Sequence, residues 1–353
     1  MSSLESSHII NQPWPKSDLE YLGKCPLCGS DKQAVLYDGL RDCVSFCAPG
    51  LWTLHRCIGC NCVYLDPRPT PETIGMAYEK YFTHETENQK VSLLKRIKEF
   101  VLNGYLNRKW ETSLSPASQI LAMLLPSSYK ALIDGEIMHN LPRPARGHRL
   151  LDVGCGSGQF LLYAQSAGWR VAGFDIDPKA VDFARSKNLD VRLGGIETFT
   201  QEANAFDAIT VSHVIEHVYN PKELLSNCYR LLKLGGYFWI ETPNIDSYGH
   251  AEFKSDWLDL DPPRHLSFHT WQSLRRLLSE SGFCDIAPLD WRPEYELRYH
   301  ASIAIKRGQN PMLAKSTLMG KIIGRLVELN NRKDCTKREF ITLKATKKFK
   351  GDK

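Results

Sequence analysis

The sequence predicts an α/β chain with a doubly wound, mostly parallel sheet and a small cysteine-rich module at its front. Three observations predict it. From residue 149 short apolar runs alternate with amphipathic stretches, the pattern of strand–helix repeats. The first of those runs ends in "VGCGSG", with glycines at 154, 156 and 158; a backbone that bare at a strand end usually lies against a ligand. Seven of the eleven cysteines fall before residue 63, which sets the front apart.

A length of 353 residues is more than one average domain and suffices for a full core. No apolar run approaches the ~20 residues that span a bilayer. The opening "MSSLESSHIINQPWPKSDLE" lacks a basic start and an apolar signal core, so a cytoplasmic location is expected. The net charge of +5 is uneven, because residues 307–353 hold thirteen Lys/Arg against four Asp/Glu, or +9, leaving the rest near −4. A nucleic-acid-binding body would carry a broad basic face, so no nucleic-acid partner is expected. The basic end suits an anionic substrate, a peripheral membrane contact, or simply solvent.

In the front module, expected over residues 1–68, "CPLCGS" and "RCIGCNC" form two C-x-x-C knuckles, Cys25/Cys28 and Cys57/Cys60. The 28 residues between Cys28 and Cys57 suit a zinc ribbon. Each knuckle presents two thiolates from one turn, and two knuckles complete a tetrahedral site. Such closed four-sulfur sites are structural. Cys43, Cys47, Cys62 and His55 are further candidate ligands.

Residues 69–147 read as a helical cap and linker. "LDPRPTPETIGMAYEKYF" gives a Pro-rich exit and then a helix begun at Thr70-Pro71-Glu72. "VSLLKRIKEFVLNGYLNRKW" predicts an amphipathic helix with apolar residues at 93, 94, 97, 101 and 102. "QILAMLLP" adds a helical turn or two, and "NLPRPARGHR" a linker.

The main domain, expected over residues 148–350, begins with the buried strand "RLLDV". The helix "GQFLLYAQSAG", the strand "RVAGFDI" and a helix opened by Pro178 follow. "DVRLG", "FDAITVS" and "GYFWIETP" are further strands. Ligands of such sheets bind at the carboxyl ends of the strands. The dinucleotide fingerprint G-x-G-x-x-G would need its last glycine where this chain has Gln159. Asp152, before Gly154, Gly156 and Gly158, suits a ligand with an ammonium group better than a pyrophosphate. Asp175 closes the second strand and is placed to accept hydrogen bonds from ribose hydroxyls.

This combination resembles the class I S-adenosylmethionine-dependent methyltransferases. The resemblance continues through "GGIETF", "FDAITVSHVIEHVYNP", "LLKLGGYFWIETPN" and "DPPRHLSFHTWQSLRRLLSESGF", covering residues 148 to about 285. The motifs look like those of the subgroup that includes the ubiquinone-biosynthesis O-methyltransferases, methyltransferase domain 23, and most of all like those of bacterial methyltransferases with an N-terminal zinc ribbon. It implies a Rossmann-like methyltransferase sheet closed by one antiparallel strand, "REFITLKATK". It also implies S-adenosyl-L-methionine as cofactor. The glycine turn would lie against its methionine and ribose, with Asp175 on the ribose hydroxyls. The Ile196–Glu197 segment would flank adenine, and Ser212 would lie near the methionine.

"HVIEH" at 213–217 also matches the inverted zinc-peptidase motif, in which His213 and His217 would share a helix face. Inside a methyltransferase framework that chemistry is the poorer reading, and a divalent ion at Glu216 or His217 that orients substrate is the better one. Methyl transfer is an in-line displacement that mostly needs alignment, but a hydroxyl nucleophile must also lose its proton. His265 is the candidate base. Its other reading is a scaffold, hydrogen-bonded to Asp261 or to backbone, with His269 as the comparison.

A helical insert is expected at about 295–335. In it Leu318, Ile322 and Leu326 stand beside Met319, Ile323 and Val327, opposed by Lys321 and Arg325. It reads as a packed insert or, with the helices of 70–130, as a cap over the site. The function expected is O-methylation of a small-molecule, glycan or lipid-linked acceptor. C-methylation of a nucleotide-activated sugar is the alternative in chemistry, and a zinc-ribbon docking protein with a vestigial enzyme the alternative in class.

Overall fold

The computed structural model describes residues 12–78, 92–293 and 297–348. The end of the helix expected over 70–82 lies outside them; of its start, Ile74–Tyr78 is a short 3-10 turn.

The front module is an antiparallel meander of β1 (Gln33–Leu40), β2 (Trp52–Cys57) and β3 (Val63–Leu65). Its outer edge is closed by chain from far downstream: Ser267 and Phe268 pair antiparallel with Tyr64 and Val63. The core is shared in the same way. Trp14, Trp52, Leu54 and Leu65 pack in one cluster with Ile245, Trp257, Leu266 and Phe268. Three short strands bury too little to stand alone, and the downstream side chains supply the missing face.

After the module come α1 (Leu93–Trp110), α2 (Gln119–Met123) and α3 (Ser127–Leu132). Ser92 and Ser118 cap the first two through their side chains. In α1 the apolar residues at 93, 94 and 97 are exposed, and the helix packs instead through Tyr105, Leu106 and Trp110. Those side chains join Leu150, Leu161 and Trp169 on the flank of the main sheet.

The main sheet contains β4 (Arg149–Val153), β5 (Arg170–Asp175), β6 (Val191–Leu193), β7 (Phe206–Ser212), β8 (Leu232–Pro243), β9 (Phe283–Pro288) and β10 (Phe340–Lys347). Its order is β9-β10-β8-β7-β4-β5-β6. β10 runs antiparallel to both neighbours, and the other pairings are parallel. This is the Rossmann-like α/β sheet that the sequence predicts. The central strands are buried on both faces, which is why "LLDV" and "AITV" are mostly apolar, interrupted only by the buried pair Asp152 and Thr210. Helices α4 (Gln159–Ser166), α5 (Pro178–Ser186), α6 (Pro221–Leu231), α7 (Tyr248–Phe253) and α8 (Trp271–Glu280) connect them. Pro178 and Pro221 open α5 and α6, and Thr270 with Ser273 forms a capping box on α8. The connection from β9 to β10 carries α9 (Leu297–Lys306) and α10 (Leu318–Asn331). No helix among the described residues is long and apolar enough to cross a membrane.

Candidate active site

Five parallel strands end at one edge of the sheet, and the loops leaving them enclose a cavity of ≈ 810 Å³. This is where an open α/β sheet binds its ligands. One end of the cavity is made by Gly154, Gly156, Asp175, Ile196 and Glu197. The other is made by His213, Glu216, His217, Asp259 and His265, with Arg298 and Met312 from the insert and Val44 and Tyr78 from the front of the chain.

At the first end five of the eight expected cofactor residues line the wall. Gly154 has φ of 67°, and a Cβ there would come 2.5 Å from Val214 Cγ2, so glycine is required twice over. Asp175 braces the turn: its carboxylate accepts the Gly156 N–H at 2.8 Å and the Asp177 N–H at 2.9 Å. Glu197 accepts the Gly195 N–H at 2.6 Å.

Three expected cofactor residues are not cavity walls. Gly158, at φ 78°, starts α4, and a Cβ there would lie 2.4 Å from Leu189 Cδ1; its glycine serves helix packing. Asp152 is buried beneath the turn and accepts a hydrogen bond from Thr210 Oγ1 at 2.7 Å. Burial, against that hydrogen bond, pushes its pKa up to about 7. Ser212 ends β7 opposite Glu241 and stops short of the wall.

At the second end the geometry departs from the motif. "HVIEH" is a turn, not a helix, and His213 has φ of 52°. The two histidines therefore share no helix face. His213 lies between Glu216, at 3.4 Å, and Glu241, at 3.5 Å. Burial opposes its charge, but the two carboxylates outweigh it and raise its pKa to about 9. Glu216 shows the converse: burial disfavours its charge, yet His213 and His217 bring it down to about 2.

His217 and His265 are held alike. Their Nδ1 atoms lie 3.0 Å from the Arg264 carbonyl and 2.7 Å from the Asp259 carbonyl. With Nδ1–H donating to a carbonyl, Nε2 is the nitrogen that keeps its lone pair. The rings are 4.7 Å apart. Burial, with His217 beside it, lowers the His265 pKa to about 4, so this imidazole is neutral at pH 7. Glu216, His217 and His265 each bring a donor atom within 4.8 Å of the others, a set that fits a divalent cation. His269 is fully buried just before the cap of α8 and does not line the cavity.

Of the segment expected as a cap, Tyr78 lines the cavity while no residue from 92 to 147 does, because α1 packs on the sheet flank.

Sequence reasoning missed the parts joined across long separations. Arg264 is fully buried and carries one guanidinium between two carboxylates. Its Nε donates to Asp261 Oδ2 at 2.9 Å, and its Nη1 to Asp42 Oδ2 at 3.1 Å and to the Ala77 carbonyl at 2.8 Å. Asp42 in turn accepts the N–H groups of Ser45 and Cys47, each at 2.9 Å, shaping the loop that carries Val44. A second pair, Arg292 and Glu241, joins at 2.7 Å behind His213. No local signal marks these partners.

In the front module the Sγ atoms of Cys25, Cys28, Cys57 and Cys60 all lie within 4.8 Å of one another, and the Cys25–Cys60 and Cys28–Cys57 pairs are 3.6 Å and 3.4 Å apart. Four sulfurs at about 2.3 Å around zinc stand about 3.8 Å apart, so the cluster is compatible with a structural zinc. Cys62 abuts it, 3.3 Å from both Cys25 and Cys60. Of the other candidates, Cys47 bonds the Ala77 carbonyl and His55 stacks on Tyr64.

Residues 127–287 match a family described as a methyltransferase domain. The chain is 30% identical over 160 residues to the ubiquinone biosynthesis O-methyltransferase of Methylocella silvestris, over 42% of this chain and 62% of that one. It is 33% identical over 105 residues to the protein of that name from Coxiella burnetii, over 28% of this chain and 45% of the other. Residues 127–287, under half of the chain, are thus similar to methyltransferase domains. The match spans under two thirds of either relative's length. A solved S-adenosylmethionine-dependent methyltransferase from Archaeoglobus fulgidus is 26% identical with a TM-score of 0.45, covering 62% of this chain and 94% of that one. The lining of the cavity's first end fits the cofactor of such domains. Bare backbone at Gly154 and Gly156 admits close approach, Asp175 is an acid for hydroxyls, and Phe174 and Ile196 offer apolar walls for a base.

Proposed function

We propose that this chain methylates a hydroxyl oxygen of a small-molecule, glycan or lipid-linked acceptor, with S-adenosylmethionine as donor. The observation that carries the reading is that one cavity joins the glycine–Asp175–Glu197 end to the His217–His265 end. The cofactor, when bound, supplies an electrophilic methyl group on a sulfonium. Asp175, Ile196 and Glu197 hold its nucleoside, while Gly154 and Gly156 leave room for its tail. His265 takes the hydroxyl proton on Nε2, its ring oriented by the Asp259 carbonyl. The walls of the cavity align the two partners, which is most of what an in-line displacement needs. The ubiquinone-biosynthesis relatives are named as O-methyltransferases, which favours oxygen as the acceptor atom.

A second reading rests on the Glu216–His217–His265 donor set. There a divalent ion orients the acceptor oxygen and lowers its pKa, and His265 is a ligand instead of a base.

His265→Gln separates these from a scaffold. As base, its loss lowers turnover about 10²–10⁴-fold while S-adenosylhomocysteine affinity stays near wild type. As ligand, its loss also removes a bound divalent ion, and excess manganese restores turnover. A variant that turns over at the wild-type rate contradicts both.

A further inference from the structure

The connection from β9 to β10 holds a helix whose apolar side faces outward. α10 is capped by Thr317 and packs through Gly320, Val327 and Asn331. The seat is tight, since a Cβ on Gly320 would lie 2.0 Å from the His300 ring of α9. That contact fixes the rotation of the helix. At 100° per residue the opposite face carries Leu318, Met319, Ile322, Leu326 and Leu329, and all five are between 48% and 76% exposed. Five large apolar side chains on one helix face form a patch that monomeric surfaces seldom leave in water.

The charge beside the stripe narrows what covers it. Residues 315–333 hold five Lys/Arg and one Glu, a net +4. Lys321 and Arg325 flank the stripe and line a ≈ 310 Å³ pocket against Trp291. A second copy of the chain packed two-fold on this face would bring Lys321 and Arg325 against their own equivalents. An anionic lipid surface satisfies both parts: acyl chains accept the apolar face and headgroup phosphates the cations. The connection also reaches the active-site cavity. Met312 and Leu313, just before α10, are 71% and 76% exposed, and Met312 is a cavity wall.

We propose that α10 lies in the interface of a bilayer containing anionic phospholipid, with its Leu318–Leu329 face in the acyl region and Lys321 and Arg325 at the phosphates. The Met312 side of the cavity then opens beside the membrane, which deepens the lipid-linked branch of the proposed function and rests on it only for the identity of the acceptor. Vesicle binding needs no turnover, so this test and the His265 test fail independently.

The test is flotation of the full-length protein with vesicles of pure phosphatidylcholine and of phosphatidylcholine mixed with phosphatidylglycerol, at physiological salt. The wild-type chain floats with the anionic vesicles and stays behind with the neutral ones. Lys321→Gln with Arg325→Gln lowers the partition coefficient on the order of 30-fold, from the effect of two cations near an anionic surface. Ile322→Ser with Leu326→Ser abolishes flotation. All four positions are exposed, and an unchanged thermal melt of each double variant shows that the fold is kept. Equal flotation with both vesicle types, or none with either, overturns the proposal. So does a stable dimer in sedimentation that Leu326→Glu dissolves without any vesicle binding, since the face then belongs to a second copy.

Discussion

The cysteine-rich front and the seven-stranded sheet both place a tight glycine-containing turn beside a strand, yet they hold together by different means. The seven-stranded sheet buries its central strands mainly between its own helices, and Cys25, Leu27, Cys57, Cys62 and Tyr64 of the front only join the edge of that core. The three-stranded front borrows a fourth strand from Ser267–Phe268, shares its apolar core with Ile245, Trp257 and Leu266, and gathers four thiols at its far end. The larger unit rests mainly on burial among its own elements, whereas the smaller one must be fastened. What the front gives back is wall: Val44, with Tyr78 from the segment that follows it, completes the His217–His265 end of the cavity, and loops at the strand ends form the glycine–Asp175 end.

The comparison breaks most visibly at the thiol cluster. Cys25→Ser or Cys57→Ser should remove about one zinc per chain, measured by elemental analysis, and unfold the front, because apparent binding energies of structural zinc reach ~10–16 kcal/mol. The sheet should keep its fold and its S-adenosylhomocysteine site. A variant that loses metal but keeps an intact front would make zinc dispensable.

The next largest effect is at the bolt between the two units. Arg264→Met strands Asp42 and Asp261 in the interior, and breaking such a buried pair costs about 3–5 kcal/mol. Denaturant unfolding should show that loss. At temperatures where the variant stays folded, the KM for acceptor should rise while cofactor affinity holds. Equal losses at both ends would mean that the two units are one.

How much of this was legible follows the same division. Strands buried on both faces write themselves as apolar runs, so "RLLDV" and "FDAITVS" mark β4 and β7 to the residue. The first end of the cavity was legible because Gly154, Gly156 and Asp175 are neighbours in sequence or sit at strand ends. Gly158 looked like part of the ligand turn but answers to Leu189, a contact that only packing reveals. The "HVIEH" spacing suggested a helix face, and the chain instead turns sharply at His213 as it leaves β7. Asp42 and Arg264 stand 222 residues apart, so no local pattern pairs them. Periodicity found the apolar residues of α10, of which Val327 and Ile323 pack inward while Leu318, Met319, Ile322 and Leu326 stay exposed. Gly320 allowed the opposite face to seat against α9, and the stripe was left outside.

The central claim is that the sheet alone builds a cofactor end and that Asp175 is its anchor. Calorimetry of S-adenosylhomocysteine against the wild-type chain and Asp175→Ala tests it most directly. The account predicts measurable binding to the wild type and a loss of about 1.5–3 kcal/mol in the variant, the worth of hydrogen bonds to a charged group. Binding of NADH with none of S-adenosylhomocysteine, or equal S-adenosylhomocysteine affinity in both proteins, would contradict it.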